Sequence, residues 1–310
     1  MGVLDGKVAI VTGAGRGLGR SHALAMAQEG AKIVVNDIGV EWDGTGQAKG
    51  PADDVVKEIK DAGGDAVACF DSVVDFQGAK NIIDTAINSF GKLNILVNNA
   101  GFLRDKMSFN MSEEEWDAVV DVHLKGTFNC GRWAAAYFRE QSKAGVEENR
   151  RIINTVSHAG LIGNPGQGNY GAAKAGIACL TLIWAREFQR FNATVNSITP
   201  MARTRMTTMT GYFTEIPGEG QFDEFAPENI SPLVVYLASD AAQDITGQVL
   251  SIRGGKLEVF RGWYLDNSID IQKRWSISSS PASDHGSRIS SGMPSMKRDG
   301  LESIIAVPRS

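Results

Sequence analysis

The chain reads as a doubly wound α/β domain built on a parallel sheet. Two observations point there. Short apolar runs alternate with amphipathic helical stretches along most of the length, the order that produces a parallel sheet with helices on both faces. Residues with chemical character also recur just after the apolar runs, at Gly13, Asp37, Asp71, Asn99 and Ser157. In open α/β sheets ligands bind outside the carboxyl ends of the strands, so this recurrence predicts one site.

The chain has 310 residues, 43% hydrophobic and 22% charged, with a net charge of −5. That is the composition of an ordinary globular protein, with no basic footprint for nucleic acid. No apolar run approaches the roughly 20 residues of a membrane span. The N-terminus runs straight into a strand without a cationic leader, and the final VPRS does not match a peroxisomal S-K-L signal. Cys69, Cys130 and Cys179 are odd in number and widely spaced, read most simply as free core thiols in a reducing compartment, the cytoplasm. His22, His123, His158 and His285 form no metal-ligand pattern.

Val8 to Val11 is the first expected buried strand. Gly13, Gly17 and Gly19 follow in a T-G-x-x-x-G-x-G pattern that opens the helix RSHALAMAQEG. Glycines there allow a tight turn and a close approach to a pyrophosphate resting on the helix N-terminus. With KIVVND as the next strand, this is a Rossmann βαβ unit for a dinucleotide. Asp37 ends that strand. Its carboxylate accepts hydrogen bonds from an adenosine ribose and repels a 2′-phosphate, which favours NAD over NADP. Arg16 inside the glycine turn is a counter-signal, because it reaches toward a 2′-phosphate.

EWDGTGQAKGPA is a surface loop and DDVVKEIKDAGG a helix ending in glycine. DAVACFDSV is the third strand, closed by Asp71 and Ser72, followed by the helix FQGAKNIIDTAINSFG. LNILVNNAG is the fourth strand. MSEEEWDAVVDVHLKGTFNCGRWAAAYFRE is one long helix, with Ser112 and Glu115 as a capping box. Leu124, Phe128 and Trp133 on it are expected in the core.

RIINTVS, the fifth strand, delivers Ser157. Tyr170 and Lys174 follow in YGAAK, one turn apart on one helix face. A phenol with a reference pKa near ~10 is a poor base at neutral pH, and a nearby ammonium lowers it. So tuned, a tyrosine exchanges a proton with an alcohol or a carbonyl, while Ser157 holds the oxygen. Alone, Tyr-x-x-x-Lys recurs on many helices as a surface pair. NATVNSITP is the sixth strand. The polar segment after Pro200 fits either a lid or a plain surface loop. A helix and a last strand close the domain. Residues 1–255 are expected to form it, and 256–310 a C-terminal extension, of which KLEVFRGWYLDNSIDIQKRW can still fold onto the domain while the part from about 276 is serine-rich and flexible.

TGAGRGLG, NNAG, Ser157, YGAAK and ITGQVLSIRGG, spaced over residues 5–255, resemble the short-chain dehydrogenases/reductases. VNDIG, VHLKGTF and the P-x-A-x-T-R-M-T segment look most like the (3R)-hydroxyacyl-CoA dehydrogenase units within that family. The resemblance implies reversible hydride transfer between NAD and a secondary alcohol on a small-molecule substrate, by a homotetramer or homodimer. Steroid or terpenoid alcohols remain alternatives, as does an NAD(H)-sensing protein without turnover. The resemblance implies Tyr170 as acid/base, Ser157 as the orienting hydroxyl and Lys174 as the nicotinamide-ribose ligand. Gly13 to Gly19, with Arg16, Gly17 and Leu18, would hold pyrophosphate. Asp37 would take the adenine ribose, Asp71 and Ser72 the adenine edge, and Asn99 and Pro200 the nicotinamide side. Two departures stand out. His123 replaces an Asn that props a relay water, and either serves instead or is a hydrogen-bonded core histidine. Met201 follows Pro200 where the family has Gly. For an acyl-CoA, Arg104, Lys106, Arg203 and Arg205 are candidates to meet phosphates.

Overall fold

The computed structural model describes residues 2–262, apart from 42, 47–49, 210, 212, 214 and 219. The serine-rich stretch expected from 276 lies outside the described residues. In chain order the elements are β1 (Val8–Thr12), α1 (Gly17–Gln28), β2 (Lys32–Asn36), α2 (Gly50–Asp61), β3 (Ala66–Cys69), α3 (Phe76–Phe90), β4 (Ile95–Asn98), α4 (Glu113–Val120), α5 (Gly126–Lys143) and β5 (Arg150–Thr155). Then come α6 (His158–Ile162), α7 (Gly168–Glu187), β6 (Ala193–Pro200), α8 (Arg205–Met209), α9 (Ser231–Ala238), β7 (Val249–Arg253) and β8 (Lys256–Phe260).

The strands form one sheet in the order β3-β2-β1-β4-β5-β6-β7-β8. All neighbours through β7 pair in parallel. The period-two geometry of β1 explains the two packed faces. Ala9 and Val11 point to one core with Met26 of α1 and Leu237 of α9. Val8 and Ile10 point to the other with Ile82 of α3 and Phe138 of α5. The chain leaves β1 toward β2 and β3, then returns to β4 on the other side. That reversal opens a crevice beyond the carboxyl ends of β1 and β4, where doubly wound sheets bind ligands.

Helix ends follow their sequence signals. Asp75 caps α3 by accepting from the Gln77 and Gly78 amides, and Gly91 closes it in a left-handed conformation. Ser112 and Glu115 form the reciprocal capping box of α4. The long helix is not regular, however. A π-helical turn, Asp121–Lys125, joins α4 to α5.

KLEVF, at the head of the expected extension, joins the sheet as β8, antiparallel to β7, and the compact body runs to Phe260. Gly254, at φ 51°, makes the tight turn between Arg253 and Lys256. Phe128 is exposed rather than in the core, and Cys179 is exposed while Cys69 and Cys130 are buried. Among the described residues no helix is long and apolar enough to cross a membrane.

Candidate active site

The glycine turn shapes one end of the crevice. Gly13 and Gly17 sit at φ 62° and 53°, a region costly for residues with a Cβ. At Gly19 close approach is the reason: a Cβ there would lie 2.1 Å from the Gly13 carbonyl oxygen. No side chain caps α1, so its N-terminal amides face the crevice without one. Such a helix end suits a phosphate. Asn99 holds the turn from β4, its Nδ2 donating to the carbonyls of Thr12 at 3.0 Å and Gly13 at 3.1 Å. Asp37 accepts from the Gly15 amide at 2.7 Å and the Gly39 amide at 2.6 Å. Beyond β3, Asp71 accepts from Asn81 Nδ2 at 2.9 Å, and the Ser72 hydroxyl accepts from the Val74 amide. Gly13, Gly17, Gly19, Asp37, Asp71, Ser72 and Asn99, together with Arg16, Leu18, His123, Ser157, Tyr170, Lys174 and Pro200, line one cleft of about 590 Å³. That size and the uncapped helix end fit a dinucleotide.

The other end holds Ser157, Tyr170, Lys174 and His123. Ser157 follows β5 as the N-cap of α6, its Oγ accepting from the Ala159 amide at 3.2 Å. Asn169, fully buried at the start of α7, anchors the tyrosine. Its Nδ2 donates to the carbonyls of Arg104 and Glu115, and its Oδ1 accepts from the Tyr170 amide. Lys174 lies one turn on, with Nζ 5.4 Å from the Tyr170 ring centre and donating to the Thr155 carbonyl at 2.6 Å. His123, in the π turn, meets the Tyr170 ring edge-on at 5.1 Å between centroids. Its Nε2 sits 2.8 Å from the Phe102 carbonyl oxygen and 3.2 Å from the Phe102 amide nitrogen, and its Nδ1 is buried without a hydrogen-bond partner.

Burial dominates the electrostatics here. It pushes the Tyr170 phenol up to about 12, which the Ser157 hydroxyl opposes and the Asp105 charge reinforces. It pushes Lys174 down to about 7. From its spacing the lysine ammonium is expected to lower the tyrosine; in the protein alone, loss of water around both groups wins. His123 is held well below the usual range by burial first, then by the Lys174 charge, so its ring is neutral.

The family model for short chain dehydrogenases matches residues 7–215. The chain belongs to the short chain dehydrogenase family. As a member it is an oxidoreductase acting on CH–OH groups. It is 46% identical over 260 residues to the peroxisomal multifunctional enzyme type 2 of Drosophila melanogaster, covering 83% of this chain but only 41% of that enzyme's length. It is likewise 46% identical to the hydroxyacyl-CoA dehydrogenase ChsB1 of Mycobacterium tuberculosis, covering 81% of this chain and 78% of that one. The crystal structure of a short chain dehydrogenase from Mycobacterium avium superposes with a TM-score of 0.80 at 54% identity, covering 89% and 92% of the two chains.

In this dehydrogenase the cations expected to meet substrate phosphates are already engaged. Arg203 pairs with Asp223 and also donates to the Phe213 and Glu215 carbonyls. Arg205 pairs with Glu41, Lys106 with Glu115, and Arg104 Nε donates to the Asp43 carbonyl. Sequence reasoning missed Asn169 and Thr155. The position of Asn169 directly before Tyr170 was the available signal; the role of Thr155 rests on a backbone carbonyl and leaves no trace in residue type.

Proposed function

We propose that the protein moves a hydride reversibly between NAD and the carbinol carbon of a 3-hydroxyacyl-CoA. The observation that carries the chemistry is the convergence of Ser157, Tyr170 and Lys174 on the strand ends beside the glycine turn. In oxidation the Tyr170 oxygen takes the substrate hydroxyl proton while Ser157 holds that oxygen, and in reduction Tyr170 returns the proton. Nicotinamide, when bound, supplies the hydride acceptor or donor. Gly13, Gly17 and Gly19 would hold its pyrophosphate, Asp37 the adenine ribose, and Lys174 the nicotinamide ribose. A charged Lys174 also lowers the barrier to forming phenolate beside it. Asp37 supports NAD over NADP, since a carboxylate seated there repels a 2′-phosphate.

The names of the relatives support the acyl-CoA substrate. A second reading, a steroid or terpenoid alcohol, is favoured by the paired state of Arg104, Lys106, Arg203 and Arg205, which weakens any pull on phosphate. The deciding experiment measures kcat/KM with NAD for a 3-hydroxyacyl-CoA, the same acyl group on a short uncharged thioester, and a cyclic secondary alcohol. Turnover of the CoA ester is expected; turnover of the cyclic alcohol alone would replace the assignment. Exposed Phe128, Leu182 and Ile183 support assembly as a homodimer or homotetramer. The free thiols Cys69, Cys130 and Cys179 support a reducing, cytoplasmic setting.

A further inference from the structure

Glu41 stands between two arginines at the adenosine end of the cleft. One carboxylate oxygen lies 3.5 Å from the Arg16 guanidinium on the glycine turn, and the other lies 2.7 Å from that of Arg205 on α8. All three line the cleft. Asp37 is seated on the amide of Gly15, the residue before Arg16. The acid that would hold the ribose hydroxyls therefore contacts the turn that carries Arg16. Thr204, which precedes Arg205, packs against the same turn, its Cγ2 being 3.6 Å from where a Cβ on Gly17 would sit. The carboxylate is presented by a closed turn, in which the Glu41 amide donates to the Thr45 carbonyl and the Gly44 amide to that of Glu41.

Two guanidiniums thus converge on one carboxylate beside the turn that Asp37 holds. Paired arginines are the usual partners of a phosphate such as the 2′-phosphate of NADP. Here their charge is taken up from within the chain. We propose that Glu41 is a cofactor-specificity residue, which holds Arg16 and Arg205 and so withholds them from a 2′-phosphate. This rests on the NAD reading above. Asp37 acts by repulsion at the ribose itself; Glu41 acts by removing the cations that would offset that repulsion. Together Arg16, Arg205, Asp37 and Glu41 cancel in charge, and neutralising Glu41 leaves the group net positive. Each pair is about half exposed and individually weak, so freeing the arginines costs the fold little.

The test uses ligand binding to the full chain, measured by calorimetry with adenosine 2′,5′-bisphosphate and with 5′-AMP. The wild type should prefer 5′-AMP. Glu41→Gln should tighten the bisphosphate by about tenfold, equivalent to about 1.4 kcal/mol, and change 5′-AMP by less than about twofold, the step being specific to the second phosphate. Adding Arg16→Gln to Glu41→Gln should remove most of that gain. A wild type that prefers the bisphosphate overturns the NAD reading and this inference together. A wild type that prefers 5′-AMP, with no gain on Glu41→Gln or an equal gain for both ligands, overturns this inference alone.

Discussion

Lys174 reaches from α7 back to the end of β5, where its Nζ donates a 2.6 Å hydrogen bond to the Thr155 carbonyl oxygen. The bond places a lysine in the sheet's carboxyl-end crevice with almost no water around it. A strand end therefore sets where the ammonium sits, and α7 sets where Tyr170 sits relative to it. The pairing of a helix spacing with a strand terminus gives the site its rigidity.

That burial has a pH signature. Lys174 is lowered to about 7 in the folded protein, against roughly 10.4 for an exposed lysine. Between these values the unfolded chain binds a proton that the folded chain does not, so stability rises with pH across the window. The penalty is complete below about 7 and relieved as the pH approaches roughly 10.4. In the protein without cofactor, the Tm of the wild type should climb relative to that of Lys174→Met from neutral to alkaline pH. Parallel Tm profiles would show that the lysine is not held near neutrality.

Tyr170→Phe removes one oxygen and keeps the ring against His123. Turnover should fall by about 10²–10⁴-fold, the usual contribution of a general acid–base group, while NAD binding by fluorescence titration stays intact. Activity within threefold of wild type would take Tyr170 out of the chemistry.

Asp37→Ala should narrow the preference for NAD over NADP. It removes the carboxylate at the ribose and also the acceptor for the Gly15 and Gly39 amides. NAD should therefore lose affinity as NADP gains. The readout is kcat/KM for both cofactors; a wild type faster with NADP would show that Arg16 decides the choice.

Gly101 and His123 are in contact. A Cβ on Gly101 would lie 2.0 Å from His123 Cε1. Gly101→Ala should cost about 1–3 kcal/mol in denaturant unfolding, the range for an overpacked core. His123→Ala in the same chain should recover part of that loss, giving a coupling in a double-mutant cycle. Strictly additive effects would mean that the two residues do not meet.

The parallel sheet was legible because buried strands such as Val8–Thr12 are continuous apolar runs bounded by helical periods. The site was legible because strand termini place residues in one crevice whatever lies between them. Other features escaped for identifiable reasons. That KLEVF folds onto the domain was open in the sequence, but its place as an antiparallel strand was not read, although Gly254 and Gly255 before the alternating KLEVF carry a hairpin signal. The engagement of Arg203 with Asp223 and of Arg205 with Glu41 joins residues 20 and 164 positions apart, which no local pattern encodes. The raised Tyr170 and lowered Lys174 follow from burial depth, and sequence spacing carries only their mutual distance.

The π turn at Asp121–Lys125 makes the site depend on a count as well as on chemistry. A turn closed at i+5 carries one residue more than an α turn. In a regular α-helix one extra residue would rotate everything beyond it by about 100°; the π turn absorbs that residue locally, so α5 keeps its buried face to the sheet. Deleting one of Asp121, Val122, Leu124 or Lys125 should let the stretch close as an ordinary α turn, with Phe138 still in the core and the bulge that carries His123 toward Tyr170 gone. Exchanging a side chain in this stretch alters one contact; removing a residue removes the bulge itself.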